Sequence, residues 1–323
     1  MSFISIVVPT HNELLNVDAL YGRIAKVFAG MTGDDFELIF CDDSTDSTPQ
    51  KIAELHAADP RVKLVRLSRR FGQALAITAG LDRTSGDAVV MMDADLQDPP
   101  ESIPALIERW RQGYEIVYVQ RPSASTYALY KMFSYLFYRL LRMIASVEIP
   151  VDAGEFRLLD RKVVAYLRRL TEHTRYLRGL TVLPGFRQTS IQIQRAERQH
   201  GQTNYDFKRS LLVAVDGVLS FSIAPLRLAN VLGALTTGAG LLTGLCYLVW
   251  KFVDPRICGP ALPMIFVAIL LVGGMQLVVL GILGEYIARM FIELQNRPVY
   301  WVDYELGFGE RDPRAPERME HTR

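Results

Sequence analysis

Short apolar runs alternate with longer segments of helical periodicity over the first 120 residues of the chain. The apolar runs have the length of buried strands, and we predict strands at residues 3–8, 36–41, 62–67, 88–92 and 115–119. Apolar positions at helical spacing predict helices at 14–28, 73–81 and 101–111, with one more beginning near Ser47 or Thr48. Strands that alternate with helices predict an α/β fold, a mainly parallel sheet with helices on both faces.

Two long stretches near the end of the chain, residues 228–250 and 257–284, contain no charged side chain. Each exceeds the ~20 apolar residues that cross a bilayer, so we predict a transmembrane hairpin with spans at about 228–250 and 260–284. Arg227 precedes the first span and Arg289 follows the second, which predicts that both termini and the first domain are cytosolic. Lys251 and Arg256 in the intervening loop weaken that pattern.

The segment between the α/β part and the hairpin is basic and rich in aromatic residues. Residues 127–147 predict a helix with too many charges to span a bilayer, which lies at a membrane surface or, alternatively, is an ordinary core helix. A second basic cluster at 195–209 is either a juxtamembrane segment attracted to anionic lipid or a phosphate-binding site. We therefore divide the chain into a core (1–125), an acceptor-facing part with interfacial helices (126–226), the spans (227–290) and a C-terminal tail (291–323).

The composition excludes several classes of protein. Half of the 323 residues are hydrophobic, the net charge is only +1, and no basic block interleaved with aromatics predicts nucleic-acid binding. No G-x-G-x-x-G or G-x-x-x-x-G-K-[ST] is present, which argues against a dinucleotide fold or a P-loop enzyme. The N-terminus lacks a basic segment before its first strand and predicts no cleaved signal peptide. The three cysteines share no metal-ligand spacing, so we expect them to be reduced and structural.

Acidic residues follow three of the predicted strands. Glu13, Asp43 and the pair Asp93 and Asp95 should meet at the carboxyl edge of the sheet, where open α/β folds bind ligands. Each acid alone is typical of a helix cap or a solvated turn, but together they predict one site. Two carboxylates at such an edge can hold Mg²⁺ or Mn²⁺, with diphosphate oxygens as further ligands.

Six motifs, in this order and followed by the hairpin, resemble a known family. They are V-V-P-T-H-N-E, C-D-D-S-T-D, L-S-R-R-F-G-Q, D-A-D-L-Q-D-P-P, G-E-F-R-L-L-D-R and R-Q-H-G-Q-T-N-Y. From about residue 3 to 300 the chain resembles family-two glycosyltransferases of the GT-A fold, and within them the bacterial polyprenyl-phosphate glycosyltransferases related to dolichyl-phosphate mannose synthase. The resemblance implies inverting transfer from a nucleotide sugar to undecaprenyl or dolichyl phosphate at the cytosolic face of the bacterial inner membrane.

The resemblance also implies roles for individual residues. It assigns the nucleoside to Pro9, Glu13 and Asp43, and the metal to Asp95 together with Asp93, which also contacts the donor's sugar or ribose. It assigns catalysis to Glu155, Asp95 and Arg157. The remaining expected substrate-binding residues are Thr10, Asn12, Gln97, Arg121, Arg198 and Asn204, with Arg198 and Arg121 at phosphate.

Several positions depart from the pattern of the resembled family. Glu155 stands where Asp is usual, Asn204 where Lys is common and Arg70 where Asn is usual, while no Gly separates Asp43 from Ser44. These departures leave the details of phosphate binding and the choice of donor open. UDP-glucose, UDP-galactose, UDP-N-acetylhexosamine, a modified UDP-pentose and GDP-mannose all remain candidates, and the resemblance favours a UDP donor with undecaprenyl phosphate.

Two other functions compete with this interpretation. A processive polysaccharide synthase usually carries Q-x-x-R-W and many more spans, neither of which the sequence contains. A non-catalytic membrane scaffold or lipid carrier on a decayed transferase domain is disfavoured by the intact Asp43, Asp93 and Asp95. Gly-rich spans are also compatible with a homo-oligomer.

Overall fold

The computed structural model describes residues 1–120, 153–173, 175–193, 224–253 and 261–309. It divides the chain into two compact units. The first contains all described residues up to 193 and those from Pro298 onward, and the second contains two long helices. The expected interfacial helix at 127–147, the basic cluster at 195–209, and Arg121, Arg198 and Asn204 lie outside the described residues.

Among the described residues, eight strands form one sheet in the order β7-β5-β6-β4-β1-β2-β3-β8. Their bounds are β1 (Ser2–Thr10), β2 (Asp34–Asp42), β3 (Val62–Leu67), β4 (Ala88–Met91), β5 (Ile116–Gln120), β6 (Ala153–Asp160), β7 (Gln188–Gln192) and β8 (Val302–Leu306). β1 pairs in parallel with β2 and β4, β2 with β3, and β5 with β7. β6 lies antiparallel between β4 and β5, and β8 lies antiparallel to β3. The predicted mainly parallel sheet is confirmed, whereas β6, β7 and β8 were not predicted.

Helices cover both faces of this sheet, as predicted. They are α1 (Leu14–Ala29), α2 (Thr48–Ala58), α3 (Gln73–Leu81), α4 (Ile103–Arg111), α5 (Arg161–Arg169) and the single turn α6 (Leu177–Leu180). Pro49 lies in the first turn of α2, where its missing N–H costs nothing. The helix begins at Thr48, close to the predicted start, and the Asp46 side chain accepts from the Thr48 N–H at 2.9 Å.

The main core lies between the sheet and α1, α2 and α4. Alternate side chains of the central strands point to this side, so that each strand buries every second residue here. The largest fully buried members of this core are Ile4, Ile6, Leu20, Ile24, Phe36, Leu38, Phe40, Ile52, Leu64 and Phe156.

Helix α3 packs on the opposite face, where Gly80 brings its backbone close to the sheet. A Cβ atom at Gly80 would lie 2.5 Å from Cys41 Sγ and 2.5 Å from Val7 Cγ1. Both neighbours are fully buried, and burial raises the pKa of the Cys41 thiol far above its ordinary range. The small residue therefore sets the distance between α3 and the strands that end at the carboxyl edge.

We expect Gly80→Ala to destabilise the protein by about 1–3 kcal/mol, because the added methyl group overpacks a dense contact. Gly22 on α1 is the matched control, since a Cβ there meets nothing within 4 Å. Gly22→Ala should stabilise by up to about 1 kcal/mol through helix propensity. Chemical denaturation of both variants measures the difference, and a shift of the same sign in both would contradict the packing account.

The chain that follows the second long helix returns to the sheet as β8 and covers the edge of β3. Beside the β8–β3 ladder, the Ser68 N–H donates to the Trp301 carbonyl at 3.0 Å. Arg83 Nε donates to Glu305 at 2.8 Å, and the Tyr300 hydroxyl donates to Asp82 at 2.6 Å. Burial raises the pKa of Asp82 and that of Tyr300. Together these bonds fix the segment to the edge that β3 would otherwise expose.

The second unit contains the long helices α7 (Ala224–Val253) and α8 (Ala261–Leu294), which contact each other. By length and composition, Pro225–Cys246 and Ala268–Leu294 are candidate membrane spans. Large apolar side chains on both helices are exposed, for example Leu242 and Ile269. Such exposure is expected where lipid covers a helix, so both are compatible with membrane association.

Candidate functional site

The candidate site lies at the carboxyl edge of the central strands. β4, β1 and β2 are adjacent and parallel, so the loops that follow them leave the sheet side by side. These loops carry Glu13, Asp43, Asp93 and Asp95, the acids that the sequence predicted to meet at this edge.

Asp43 joins two of the loops to the start of α3. Its side chain is 4% exposed, and Oδ1 lies 2.8 Å from His11 Nδ1. Oδ2 accepts from the N–H groups of Phe71 at 3.1 Å and Gly72 at 3.2 Å. These bonds orient the His11 ring, whose side chain remains 32% exposed at the edge. His11 was not among the residues predicted from the sequence, although its place beside Asn12 and Glu13 in P-T-H-N-E was a signal.

A buried network around Asp42 shapes the same loops. The Thr10 hydroxyl, in a residue only 2% exposed, donates to Asp42 at 2.9 Å, and Arg66 forms an ion pair with the same carboxylate. Asn12 is exposed in the left-handed region at φ 58°, which asparagine tolerates, and its side chain accepts from the Thr45 N–H at 2.9 Å. Thr10 thus supports the loop from inside, whereas Asn12 lies on its surface.

Pro9 and Glu13 flank that loop. Pro9 is half-buried near the end of β1 and pairs with Cys41. Glu13 precedes α1, where its carbonyl accepts from the Asn16 N–H at 2.9 Å and its carboxylate from the Asn16 side chain at 2.6 Å. Glu13 therefore ties the loop to the first turn of the helix.

The acidic loop after β4 is held from both sides. Asp93 Oδ1 accepts from Gln73 Nε2 at 2.6 Å, and Asp95 Oδ1 accepts from the Gln97 N–H at 3.1 Å. Both aspartates are half-buried, and Gln97 is 9% exposed. Leu96 has φ 60°, a left-handed conformation that costs a bulky residue about 1–3 kcal/mol and is concentrated at functional sites. The strain therefore sits directly after Asp95.

The two aspartates form a donor set that fits a divalent cation bound together with a substrate. The described residues contain no group of three or more His, Cys, Asp or Glu side chains that could hold a metal by themselves. Mg²⁺ commonly uses one or two carboxylates and completes its coordination with water and substrate phosphates. Asp93 and Asp95, both half-buried, supply two such carboxylates at the carboxyl edge of the sheet.

The antiparallel strand β6 brings a second group of charges to this edge. Met91, the last residue of β4, pairs with Arg157, so the residues before Arg157 lie beside the chain that continues to Asp93. Glu155 is among them, and its Oε1 accepts from Arg178 Nε on α6 at 2.7 Å. Arg178 was missed by the sequence analysis, because R-Y-L-R-G-L follows no predicted strand.

Arg157 lies under this edge rather than on it. The residue is 3% exposed, and its Nη1 donates to the Thr181 hydroxyl at 3.0 Å and its Nη2 to the Gly154 carbonyl at 2.8 Å. Burial lowers the pKa of Arg157, and the charge of Glu155 opposes that effect. These contacts let Arg157 fix the start of β6 and, through it, the position of Glu155.

Residues 5–168 match the profile described as glycosyl transferase family 2. An uncharacterized glycosyltransferase of Bacillus subtilis (strain 168) is 42% identical over 306 residues, 94% of each chain. Bactoprenol glucosyl transferase of Shigella phage SfII is 36% identical over 302 residues, 92% of this chain and 96% of that one. Mannosyl-3-phosphoglycerate synthase from Rubrobacter xylanophilus is 18% identical, with a TM-score of 0.46 over 66% of this chain and 72% of that one.

Proposed function

Because the chain belongs to glycosyltransferase family 2, we propose that it transfers a sugar from a nucleotide-sugar donor to a polyprenyl phosphate, inverting the anomeric centre. The observation that carries the proposal is the meeting of the Asp43 loop, the Asp93–Asp95 loop and Glu155 at one edge of the sheet. Relatives named bactoprenol glucosyl transferase support the choice of acceptor. The donor we propose is a UDP sugar and the acceptor undecaprenyl phosphate.

The donor half of the proposed site lies between the loops after β1, β2 and β4. Pro9, Glu13 and Asp43 would hold the nucleoside, and Asp93 would contact the sugar or ribose. Asp95 and Asp93 would hold Mg²⁺ or Mn²⁺. When bound, such a cation offsets the negative charge of the departing diphosphate.

The acceptor half requires alignment more than proton transfer. A phosphate monoester has a second pKa of about 6, so it is largely a dianion at neutral pH and needs no strong base. Its oxygen must instead lie behind the anomeric carbon, opposite the leaving diphosphate. Glu155 would orient the acceptor or balance the positive charge that develops on the sugar ring.

The long helices fit an acceptor that cannot leave the bilayer. A polyprenyl tail keeps its phosphate at the membrane surface, and we propose that α7 and α8 span a bacterial inner membrane with both termini and the first unit in the cytosol. The interfacial role proposed for residues 127–147 would bring the site to the level of that phosphate.

Transfer of radiolabelled sugar into the lipid phase tests the proposal. Purified protein receives undecaprenyl phosphate, Mg²⁺ or Mn²⁺ and each candidate nucleotide sugar in turn. We expect one donor to give a single, metal-dependent lipid product. A product that lengthens with time would indicate a processive synthase. Folded protein that gives no product from any donor would instead support a non-catalytic scaffold.

A further inference from the structure

The ion pair between Glu155 and Arg178 places a partly exposed cation beside the proposed reaction centre. Their side chains are 20% and 37% exposed, and the Nε–Oε1 distance is 2.7 Å. We infer that Arg178 binds the phosphate of the acceptor while it holds Glu155, so that one guanidinium bridges the two anions. This inference rests on the proposed function, because it names the residue that would receive the acceptor.

The negative charge of the acceptor favours such a bridge. The acceptor brings a phosphate of nearly two negative charges to a site that already contains the carboxylate of Glu155. The two negative charges repel each other, and this repulsion is screened less at a partly buried position than in water. A cation in contact with the carboxylate offsets part of that repulsion and attracts the phosphate.

Of the two arginines that the described residues place beside Glu155, only Arg178 has the exposure that a ligand needs. Arg157 is 3% exposed, and both of its terminal nitrogens donate to protein oxygens, at Thr181 and Gly154. Arg178 is 37% exposed and lies on the single turn α6 at the surface of the first unit. Burial thus gives Arg157 a supporting role and leaves Arg178 as the cation that an incoming phosphate can reach.

The shape of the arginine side chain suits the bridging role. A guanidinium presents five N–H donors in a planar fork, so separate edges can bond a carboxylate and a phosphate at the same time. Arg178 uses its Nε toward Glu155. A lysine would supply the positive charge at a single point and would lack the second edge of N–H donors that a guanidinium offers to the phosphate.

Steady-state kinetics with a short soluble acceptor, geranyl phosphate, test the inference on the full chain. We expect Arg178→Ala to raise the KM for geranyl phosphate by about 10- to 100-fold, because a charge-assisted bond to phosphate is lost. The KM for the nucleotide sugar should stay within about twofold, since the donor binds through other loops. Arg178→Lys should recover part of the acceptor affinity, and inorganic phosphate should inhibit Arg178→Ala less than the unsubstituted protein.

Two comparisons separate binding from mere support of Glu155. Arg61→Ala removes a similar arginine–carboxylate pair, with Asp59, at the opposite edge of the sheet and should leave the acceptor KM unchanged. In a Glu155→Gln background, Arg178→Ala should still raise the acceptor KM. If the second substitution then has no effect, Arg178 only positions Glu155 and the inference is overturned. An unchanged acceptor KM in Arg178→Ala alone would overturn it as well, whereas failure of the unsubstituted protein to transfer any sugar would refute the proposed function instead.

Discussion

Asp95→Asn is expected to lower the rate of sugar transfer by about 1,000-fold, the largest effect on activity that we predict from a single substitution. The asparagine keeps the shape of the side chain, and its amide oxygen can still accept from the Gln97 N–H as Asp95 does at 3.1 Å. The loop should therefore remain folded while the negative charge that would hold the cation is lost. Initial rates with saturating donor measure the loss, and Mn²⁺-dependent binding of UDP should weaken in parallel.

Asp87→Asn is the matched control for this prediction. Asp87 lies just before β4 at the opposite end of the strand, where its Oδ2 accepts from the Phe3 N–H at 2.9 Å. A change from aspartate to asparagine here removes one negative charge next to the same strand but leaves the carboxyl edge intact. Rates within about twofold of the unsubstituted protein are expected. An equal loss in both variants would mean that Asp95 acts through stability rather than at the site.

Glu37→Gln is expected to cost about 3 kcal/mol of folding free energy, the largest effect on stability that we predict. Glu37 is 1% exposed in β2, and its Oε1 accepts from the Ser85 N–H at 2.8 Å. Its Oε2 accepts from Lys63 Nζ at 2.7 Å. A glutamine amide retains the bonds to one of these oxygens. Its NH2 group, however, faces a hydrogen-bond donor where the second oxygen was, and Lys63 loses its counter-charge. Urea denaturation at neutral pH measures the difference.

The pH dependence of stability gives a second test of Glu37. Burial acts to raise its pKa, but hydrogen bonds from Lys63, Ser5 and Ser85 outweigh burial and the pKa is lowered from 4.5. A lowered pKa means that this carboxylate stabilises the fold above about pH 4.5 and that the contribution is lost as pH falls through the folded value. The difference in unfolding free energy between the unsubstituted protein and Glu37→Gln should therefore become smaller as the pH is lowered.

Glu54→Gln is the control, because it changes an exposed glutamate that pairs with Lys51. It should shift the free energy of unfolding by less than about 1 kcal/mol at any pH.

The strands that the sequence predicted are those in which apolar residues predominate. β4 is buried on both faces, so a continuous apolar run marked it. β6 carries Glu155 and Arg157, and these charges interrupt the apolar run that marks a buried strand. Arg157 is nevertheless buried, and its Nη1 is satisfied by the hydroxyl of Thr181, which lies 24 residues later in the chain. A hydrogen bond of this kind depends on the tertiary structure, so the local sequence pattern cannot predict it.

β8 shows a second limit of local patterns. Its five residues contain two acids, and its partner strand β3 lies more than 200 residues earlier in the chain. Arg83 stabilises the pairing by its bond to Glu305, a contact between distant positions with no signal in either segment. The position of β8 at the edge of the sheet could therefore be seen only in the structure.

The candidate site was predictable where it depends on topology and not where it depends on side-chain partners. Parallel strands place Asp43, Asp93 and Asp95 at one edge whatever the loops do, and the structure brings them there. Their partners come from other loops and helix starts, such as His11 and Gln73, whose directions depend on tertiary packing. The catalytic and binding roles of these residues remain predictions.

The position of β8 in the sheet also has a consequence for how the protein is made. Between the end of β7 at Gln192 and the start of β8 at Val302 the ribosome must synthesise both long helices. At about 5–20 residues per second this delay lasts on the order of 5–20 s, during which the edge of β3 has no partner. The edge of β3 in the nascent sheet is therefore open to wrong pairing until both long helices have been synthesised, and β8 covers it only after that.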